Sequence, residues 1–335
     1  MSEAALAPWL QRQLQPLLAQ RGHAWLLHGP SGLGQYELAL ALVRAWLCER
    51  PDGGQGACGQ CPSCHAVEVR AHADLCVLMP EAQMQLLGWP LDEKAQAELD
   101  EKKRKPGREI RVEAMRDAVE FVQRTSARGR GKAVLVFPAE RMNAISANAL
   151  LKTLEEPPGD VRFVLATGAA HLLLPTIRSR CMGHALAWPS ADEAARWLGG
   201  QPGVDAADVP ALLAAAGGRP DEAWRMAEAG RSARAWAALP AAMARGDLGA
   251  VSGWLPAELV DALQKLCHDL LCVGEGAAPR FFAAAGLPPP PRREALLRWS
   301  RALQDSARIA EHPLNAGLML EALVAQARSN LNFRA

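Results

Sequence analysis

The stretch His28-Gly29-Pro30-Ser31-Gly32-Leu33-Gly34-Gln35-Tyr36 constrains this chain more than any other. Gly29 and Gly34 stand at the separation of the two glycines in G-x-x-x-x-G-K-[ST]. In that motif backbone N–H groups cradle phosphates, the lysine pairs with the β/γ oxygens and the hydroxyl holds Mg²⁺. Here Gln35 replaces the lysine and Tyr36 the Ser/Thr. The apolar run Ala24 to Leu27 before the loop and the run Leu38 to Leu47 after it predict a strand and a buried helix, the setting of an α/β phosphate-binding fold. The frame is kept and its working residues are gone, so the sequence predicts a loop that holds no nucleotide.

Composition narrows the class. The chain has 335 residues, half of them hydrophobic, and a net charge of +1, enough for two or three domains and too balanced for a global nucleic-acid footprint. No apolar run reaches the roughly 18 residues of a membrane span, and Met1-Ser2-Glu3 does not open a signal peptide, so a cytoplasmic location is expected. Cys48, Cys58, Cys61 and Cys64 cluster with two x₂ spacings, while Cys76, Cys181, Cys267 and Cys272 lie apart in apolar surroundings. Four thiolates so spaced suit a tetrahedral Zn²⁺ site, with the Gly-rich segment from Asp52 to Gly56 folding the chain back on the ion. An iron–sulfur cluster and displacement of one cysteine by His65 are the alternatives. The module lacks a flanking aromatic or basic surface, which points to a structural staple.

Around these features a further pattern runs. Residues 8 to 22 predict an amphipathic helix through Trp9, Leu10, Leu14, Leu17 and Leu18, and Asp74 to Leu78 a short strand. Pro80 to Arg108 is charge-rich and ends in Lys102-Lys103-Arg104-Lys105, which predicts a solvated insertion. A helix carrying Met115, Ala118, Val119 and Val122 follows, then a strand, Lys132 to Phe137. That strand is where a P-loop ATPase presents Mg²⁺-binding acids; this chain continues Pro138-Ala139-Glu140. A helix from 144 to 155 stops at Pro157-Pro158, and a buried strand runs from Arg162 to Thr167.

The succession Asn148-Ala149-Leu150-Leu151-Lys152-Thr153-Leu154-Glu155-Glu156-Pro157-Pro158, the strand end Ala166-Thr167, and Ile177-Arg178-Ser179-Arg180-Cys181 resemble the AAA+ modules of bacterial DNA polymerase III clamp-loader subunits. The likeness is strong over about residues 5 to 185. It implies an AAA+ P-loop-like domain with a parallel sheet and inserted zinc module at 1–187, a helical lid at 188–231 and a helical collar for oligomerisation at 232–335. It implies a subunit without its own ATPase, working in a hetero-pentamer with ATP-binding gamma/tau-type and delta-type subunits to load a sliding clamp on primed DNA. It assigns Arg180 as an arginine finger acting in trans on a neighbour's ATP, leaves Thr167 as a vestigial phosphate sensor, and puts Arg219 near a second sensor position. Cys181 reads as core packing.

In the C-terminal half Trp188-Pro189 marks a linker and Ser190 to Glu193 a capping box. Pro210 and Arg219-Pro220 open helices, with Gly217-Gly218 between them. From Ser232 the pattern is helical, with breaks expected at Pro256, Gly274 to Pro279 and Pro288 to Pro291. The stretches 255–272 and 314–327 carry apolar faces that suit either a core or an oligomer seam. Two other classes remain open on sequence: a self-sufficient ATPase or nucleotide kinase, and a zinc-containing DNA-binding protein.

Overall fold

The computed structural model describes residues 6–50, 56–310, 312 and 315–332. Of the Gly-rich return predicted at 52 to 56, all but Gly56 lies outside these residues. The chain divides into two compact units, one ending at Pro189 and the other beginning at Ser190.

In the first unit α1 (Pro8–Ala19) leads to β1 (Ala24–His28), α2 (Gln35–Leu47), α3 (Pro62–Glu68) and β2 (Leu75–Leu78). Then come α4 (Glu81–Leu86), α5 (Glu93–Asp100), α6 (Val112–Gln123), β3 (Lys132–Val136), α7 (Ala144–Glu155), β4 (Val161–Thr167), α8 (Pro175–Arg178) and β5 (Met182–Ala185). The five strands form one sheet in the order β2-β3-β4-β1-β5, and every pairing is parallel. Strands covered on both faces need no polar alternation. β3 accordingly is buried at every position and β1 at all but His28. On one face Leu26, Val134, Val136, Phe163 and Leu165 pack with Met115, Ala118 and Val122 of α6 and Leu150 and Leu154 of α7. α2 lies against β3 and β4, and the Trp46 ring sits 4.9 Å from that of Trp25. α1 ends at Ala19, earlier than predicted, because Gln20 turns extended to deliver the chain to β1.

The charged insertion is solvated over most of 92–105, as expected, and it is also folded: it contains α4 and α5, buries Trp89 and Ala95, and is tied down through Glu81. The Glu81 carboxylate accepts from Arg104, from Arg111 and from the Gly107 N–H. Arg104 also donates to Glu98 at 2.7 Å, so one cation of the basic tetrad is committed internally.

A buried ion pair joins the sheet edge to what precedes it. Asp74, fully buried just before β2, accepts N–H bonds from Ala127 (2.8 Å) and Arg128 (2.9 Å), the Ser126 hydroxyl (3.0 Å) and Lys132 Nζ (3.3 Å). Lys132 Nζ also lies 4.0 Å from the centroid of the Phe121 ring.

The second unit is all helix: α9 (Ala191–Gly199), α10 (Val209–Ala215), α11 (Pro220–Glu228), α12 (Ala233–Arg245), α13 (Pro256–Gly274), α14 (Arg293–Ile309) and α15 (Ala316–Leu331). Ser190 caps α9 and Ser232 caps α12, each accepting a backbone N–H three residues on. One small core gathers Leu198, Val209, Leu212, Ala216 and Ala223; a larger one gathers α12 to α15 around Leu263, Leu266, Trp299 and Leu303. The apolar face of α13 belongs to that core. The break expected at Pro256 is present: α12 ends at Arg245 and Pro256 starts α13, where its missing N–H costs nothing, while Pro240 of this unit sits inside α12. Asp269, also fully buried, accepts the N–H groups of Arg280, Phe281 and Phe282 and so pins the loop after α13. Among the described residues no helix is long and apolar enough to cross a membrane.

The Asp74–Lys132 pair yields a prediction. Burial raises the Asp74 carboxyl, but the donors from Ala127, Arg128, Ser126 and Lys132 outweigh it and hold it below the usual carboxylate range. A depressed folded-state value stabilises the protein fully above the unfolded value of about 4 and loses that stabilisation as pH falls through the folded one. Asp74→Asn leaves Lys132 charged and unpaired in the interior, and urea denaturation at pH 7 is expected to show a loss of about 3 kcal/mol. The difference from the unsubstituted chain should shrink as the pH is taken below about 4.

Candidate functional site

The sheet order places a topological switch at β1, since β4 lies on one side of it and β5 on the other. In open α/β sheets the crevice beyond the carboxyl ends of the strands at such a point is where ligands bind. His28, which ends β1, pairs in register with Thr167, which ends β4. The loop from Gly29 to Gly34 therefore meets the loops after β3 and β4. A Cβ placed on Gly168 would lie 3.4 Å from Glu140 Oε1 and 3.4 Å from the Ser31 Cβ. The Gly168 N–H donates to Glu140 Oε1 at 3.1 Å, and Glu140 Oε2 is buried without a hydrogen-bond partner. Thr167, fully buried, spends its hydroxyl accepting the Ala169 N–H at 3.0 Å.

Within the loop the replaced residues face inward. Gln35 Nε2 donates to the Gly29 carbonyl at 2.9 Å and to the Pro30 carbonyl at 2.6 Å, and the residue is 4% exposed. Both amide hydrogens are thus consumed by the loop's own backbone, and the neutral side chain offers phosphate no charge. From beneath, Trp9 Nε1 donates to the Leu33 carbonyl at 3.0 Å. Gly34 has φ +94°, and a Cβ there would fall 2.4 Å from Leu10 Cδ1, so the turn requires glycine. The Tyr36 hydroxyl accepts from Trp89 Nε1 at 2.7 Å and from Arg70 Nη1 at 3.1 Å, and Arg70 stacks over the Trp89 ring at 4.7 Å. Burial raises the Tyr36 phenol, which stays neutral at physiological pH. The position that holds Mg²⁺ in a working loop is here a clamp for the insertion.

The predicted cysteines come together. The Sγ atoms of Cys48, Cys58, Cys61 and Cys64 lie within 4.8 Å of one another, with Cys48–Cys61 at 3.8 Å, Cys58–Cys64 at 4.0 Å and Cys61–Cys64 at 3.5 Å. A tetrahedron with Zn–S bonds of about 2.3 Å has S···S edges of about 3.8 Å, so the spacing fits a single ion. It is too tight for an iron–sulfur cluster, whose own atoms would stand between the ligands. His65 is exposed and outside the group. Burial raises the Cys61 thiol, yet N–H donors from Cys64 and Glu49 bring it down to about 6; burial and the neighbouring Cys61 push Cys64 up to about 12. Four crowded thiols cannot all ionise without a cation among them. Behind them runs a closed circuit of hydrogen bonds. His72 Nδ1 accepts the Asp74 N–H (3.0 Å), leaving Nε2 to donate to Ser63 Oγ (3.0 Å), which donates to Glu49 Oε1 (3.1 Å). Arg128 closes the circuit, Nη1 donating to Glu49 (2.8 Å) and its backbone N–H to Asp74 (2.9 Å).

Arg180 stands apart from both groups, on the turn between α8 and β5. Its side chain is 33% exposed and paired with Glu155 at the end of α7. Arg178 is exposed, and Cys181 packs against the main core, its thiol pushed up to about 12 by burial.

A family model described as DNA polymerase III, delta subunit, matches residues 6–189. The Escherichia coli (strain K12) protein named DNA polymerase III subunit delta' is 32% identical over 278 residues, 77% of this chain and 76% of that one. The chain belongs to the DNA polymerase III delta' family. The delta' protein of Pseudomonas aeruginosa (strain PAO1) is 40% identical over 226 residues, 67% of this chain; the match spans 62% of that relative's length, a little under two thirds. The Escherichia coli protein named DNA polymerase III subunit tau is 34% identical over 160 residues, 48% of this chain and 21% of that one.

Against this family background two features of the site escaped sequence reasoning. The clamp of Tyr36, Trp89 and Arg70 joins residues 53 and 34 positions apart. Trp89 was the signal available, a lone tryptophan in a charged insertion. The Glu155 partner of Arg180 lay inside the motif that carried the resemblance, with nothing in its spacing to Arg180 to link the two. In this delta'-family chain Tyr36→Phe removes the acceptor of two donors while keeping the ring. Denaturant titration is expected to show a loss of about 1–3 kcal/mol, larger than for an exposed tyrosine, because the Trp89 and Arg70 N–H groups are left without it.

Proposed function

We propose that this chain is the non-catalytic delta' subunit of a DNA polymerase III clamp-loader complex in the cytoplasm, a pentamer with ATP-binding gamma/tau-type and delta-type subunits that loads a sliding clamp onto primed DNA. It hydrolyses no ATP itself. Its P-loop-like domain (1–187) braces the ring of subunits, a helical lid (188–231) follows, and a helical collar (232–335) joins the oligomer. The observation that carries this reading is the contrast between the loop and Arg180. Gln35 and Tyr36 spend their polar groups inside the fold, so the loop has lost lysine and metal-binding hydroxyl together, whereas Arg180 keeps a third of its side chain in solvent at a domain surface. When water attacks a neighbour's γ-phosphate and ADP leaves, the guanidinium of Arg180 neutralises the charge spread over the phosphoryl oxygens, without giving or taking a proton. Zinc held by Cys48, Cys58, Cys61 and Cys64 staples the end of α2 to α3 and takes no part in that chemistry.

Arg180→Ala is expected to leave melting temperature and subunit assembly unchanged while lowering DNA-stimulated ATP turnover by the reconstituted complex, by about 10³-fold or more at the one site it serves. Unchanged turnover would remove Arg180 from the mechanism, and tight Mg-ATP binding by the isolated chain would overturn the empty-loop reading. Elemental analysis of the purified chain should return about one zinc per molecule, and Cys61→Ser should abolish it together with a cooperative share of the thermal transition.

A further inference from the structure

We infer that Glu155 is a positioning residue for Arg180: it grips the guanidinium along its Nε–Nη2 side and aims the Nη1–Nη2 end at the neighbouring subunit. This rests on the reading of Arg180 as the residue that faces a neighbour's ATP.

Arg180 is held from independent directions. Its Nε donates to Glu155 Oε1 at 2.5 Å and its Nη2 pairs with the same oxygen. Its Nη1 donates to the Thr176 carbonyl at 2.9 Å, with a loose 3.5 Å contact to Ser179 Oγ. The carboxylate comes from the last residue of α7, a helix anchored by Leu150 and Leu154 in the core and by His23, whose Nε2 lies 2.8 Å from the Leu154 carbonyl. The carbonyl comes from α8, anchored by Ile177. A long, flexible arginine is thereby confined to one direction before any partner arrives, and confinement of this kind is what a charge-neutralising side chain needs to act at the moment of reaction.

A carboxylate beside a working cation could instead restrain it, and the bonding pattern decides between the two. A restraint would take the two terminal nitrogens, the edge that meets a phosphate end-on. Here one oxygen of Glu155 takes Nε and Nη2, the side edge of the guanidinium, and not the Nη1–Nη2 end, and each terminal nitrogen carries a second N–H, so the pair persists while that end engages an anion. Glu155 is itself 46% exposed and follows the last buried turn of its helix, so its substitution leaves the core untouched.

The experiment uses the complete complex reconstituted from this chain with its gamma/tau-type and delta-type partners, in single-turnover ATP hydrolysis with primed DNA and clamp. Glu155→Gln is expected to lower the rate about 10- to 100-fold with KM for ATP and assembly unchanged, and Glu155→Asp to recover part of it. In the Arg180→Ala background Glu155→Gln should change nothing further, because it acts through that guanidinium. A rate unchanged or raised by Glu155→Gln, where Arg180→Ala lowers it, overturns the positioning role and leaves the finger standing. A further fall in the Arg180→Ala background overturns it as well, by placing Glu155 in some other contact. If Arg180→Ala itself leaves the rate unchanged, the finger fails and the positioning role falls with it.

Discussion

The hydrogen-bond ladders on both edges of β1 are the constraint from which the rest of the first unit follows. With β4 on one edge and β5 on the other, β1 cannot slip by a residue without turning Trp25 and Leu27 onto the face that Leu26 occupies. Fixed in that register, its carboxyl end delivers the glycine loop to the carboxyl ends of its neighbours, and Ser31, Glu140 and Gly168 converge. β5, held by the same strand, carries the turn with Arg180. The glycine loop and Arg180 are thus two ends of one framework.

What separates the two is where polar groups find partners. Gln35 and Tyr36 satisfy theirs within the fold, as do Asp74 and Glu81, each of which gathers several donors around one carboxylate. Buried polar groups satisfied in this way rigidify a structure. Arg180 is paired at the surface, where solvent keeps the exchange of one anion for another inexpensive.

Local signals in the sequence carried a good deal of this. The glycine spacing, the strand and helix flanking it, and the cysteine cluster could be read because each depends on residues a few positions apart. The caps at Ser190 and Ser232 and the glycine pair after α10 are local in the same sense. The solvation of the insertion could be read from its charges, but its fold could not: that comes from Glu81 meeting Arg104 and Arg111 and from Trp89 meeting Tyr36, partners no window of sequence displays. Proline alone is an ambiguous signal. At Pro256 it marks a helix start and at Pro240 it sits inside one, and only the packing of α12 and α13 into a shared core tells the two apart. That Gln35 turns back upon the loop depends on carbonyl directions, which residue identities do not encode.

The circuit running Glu49, Ser63, His72, Asp74 and Arg128 has a mechanical meaning. A chain of bonds that closes on itself has no loose end, so the cysteine hairpin cannot swing like a tag on a string. Since Asp74 abuts the edge strand β2 and Ser63 sits between Cys61 and Cys64, the circuit ties the second pair of cysteines to the sheet. A pull on the cysteine turn is therefore felt at the strand edge through side chains as well as through the backbone that links them.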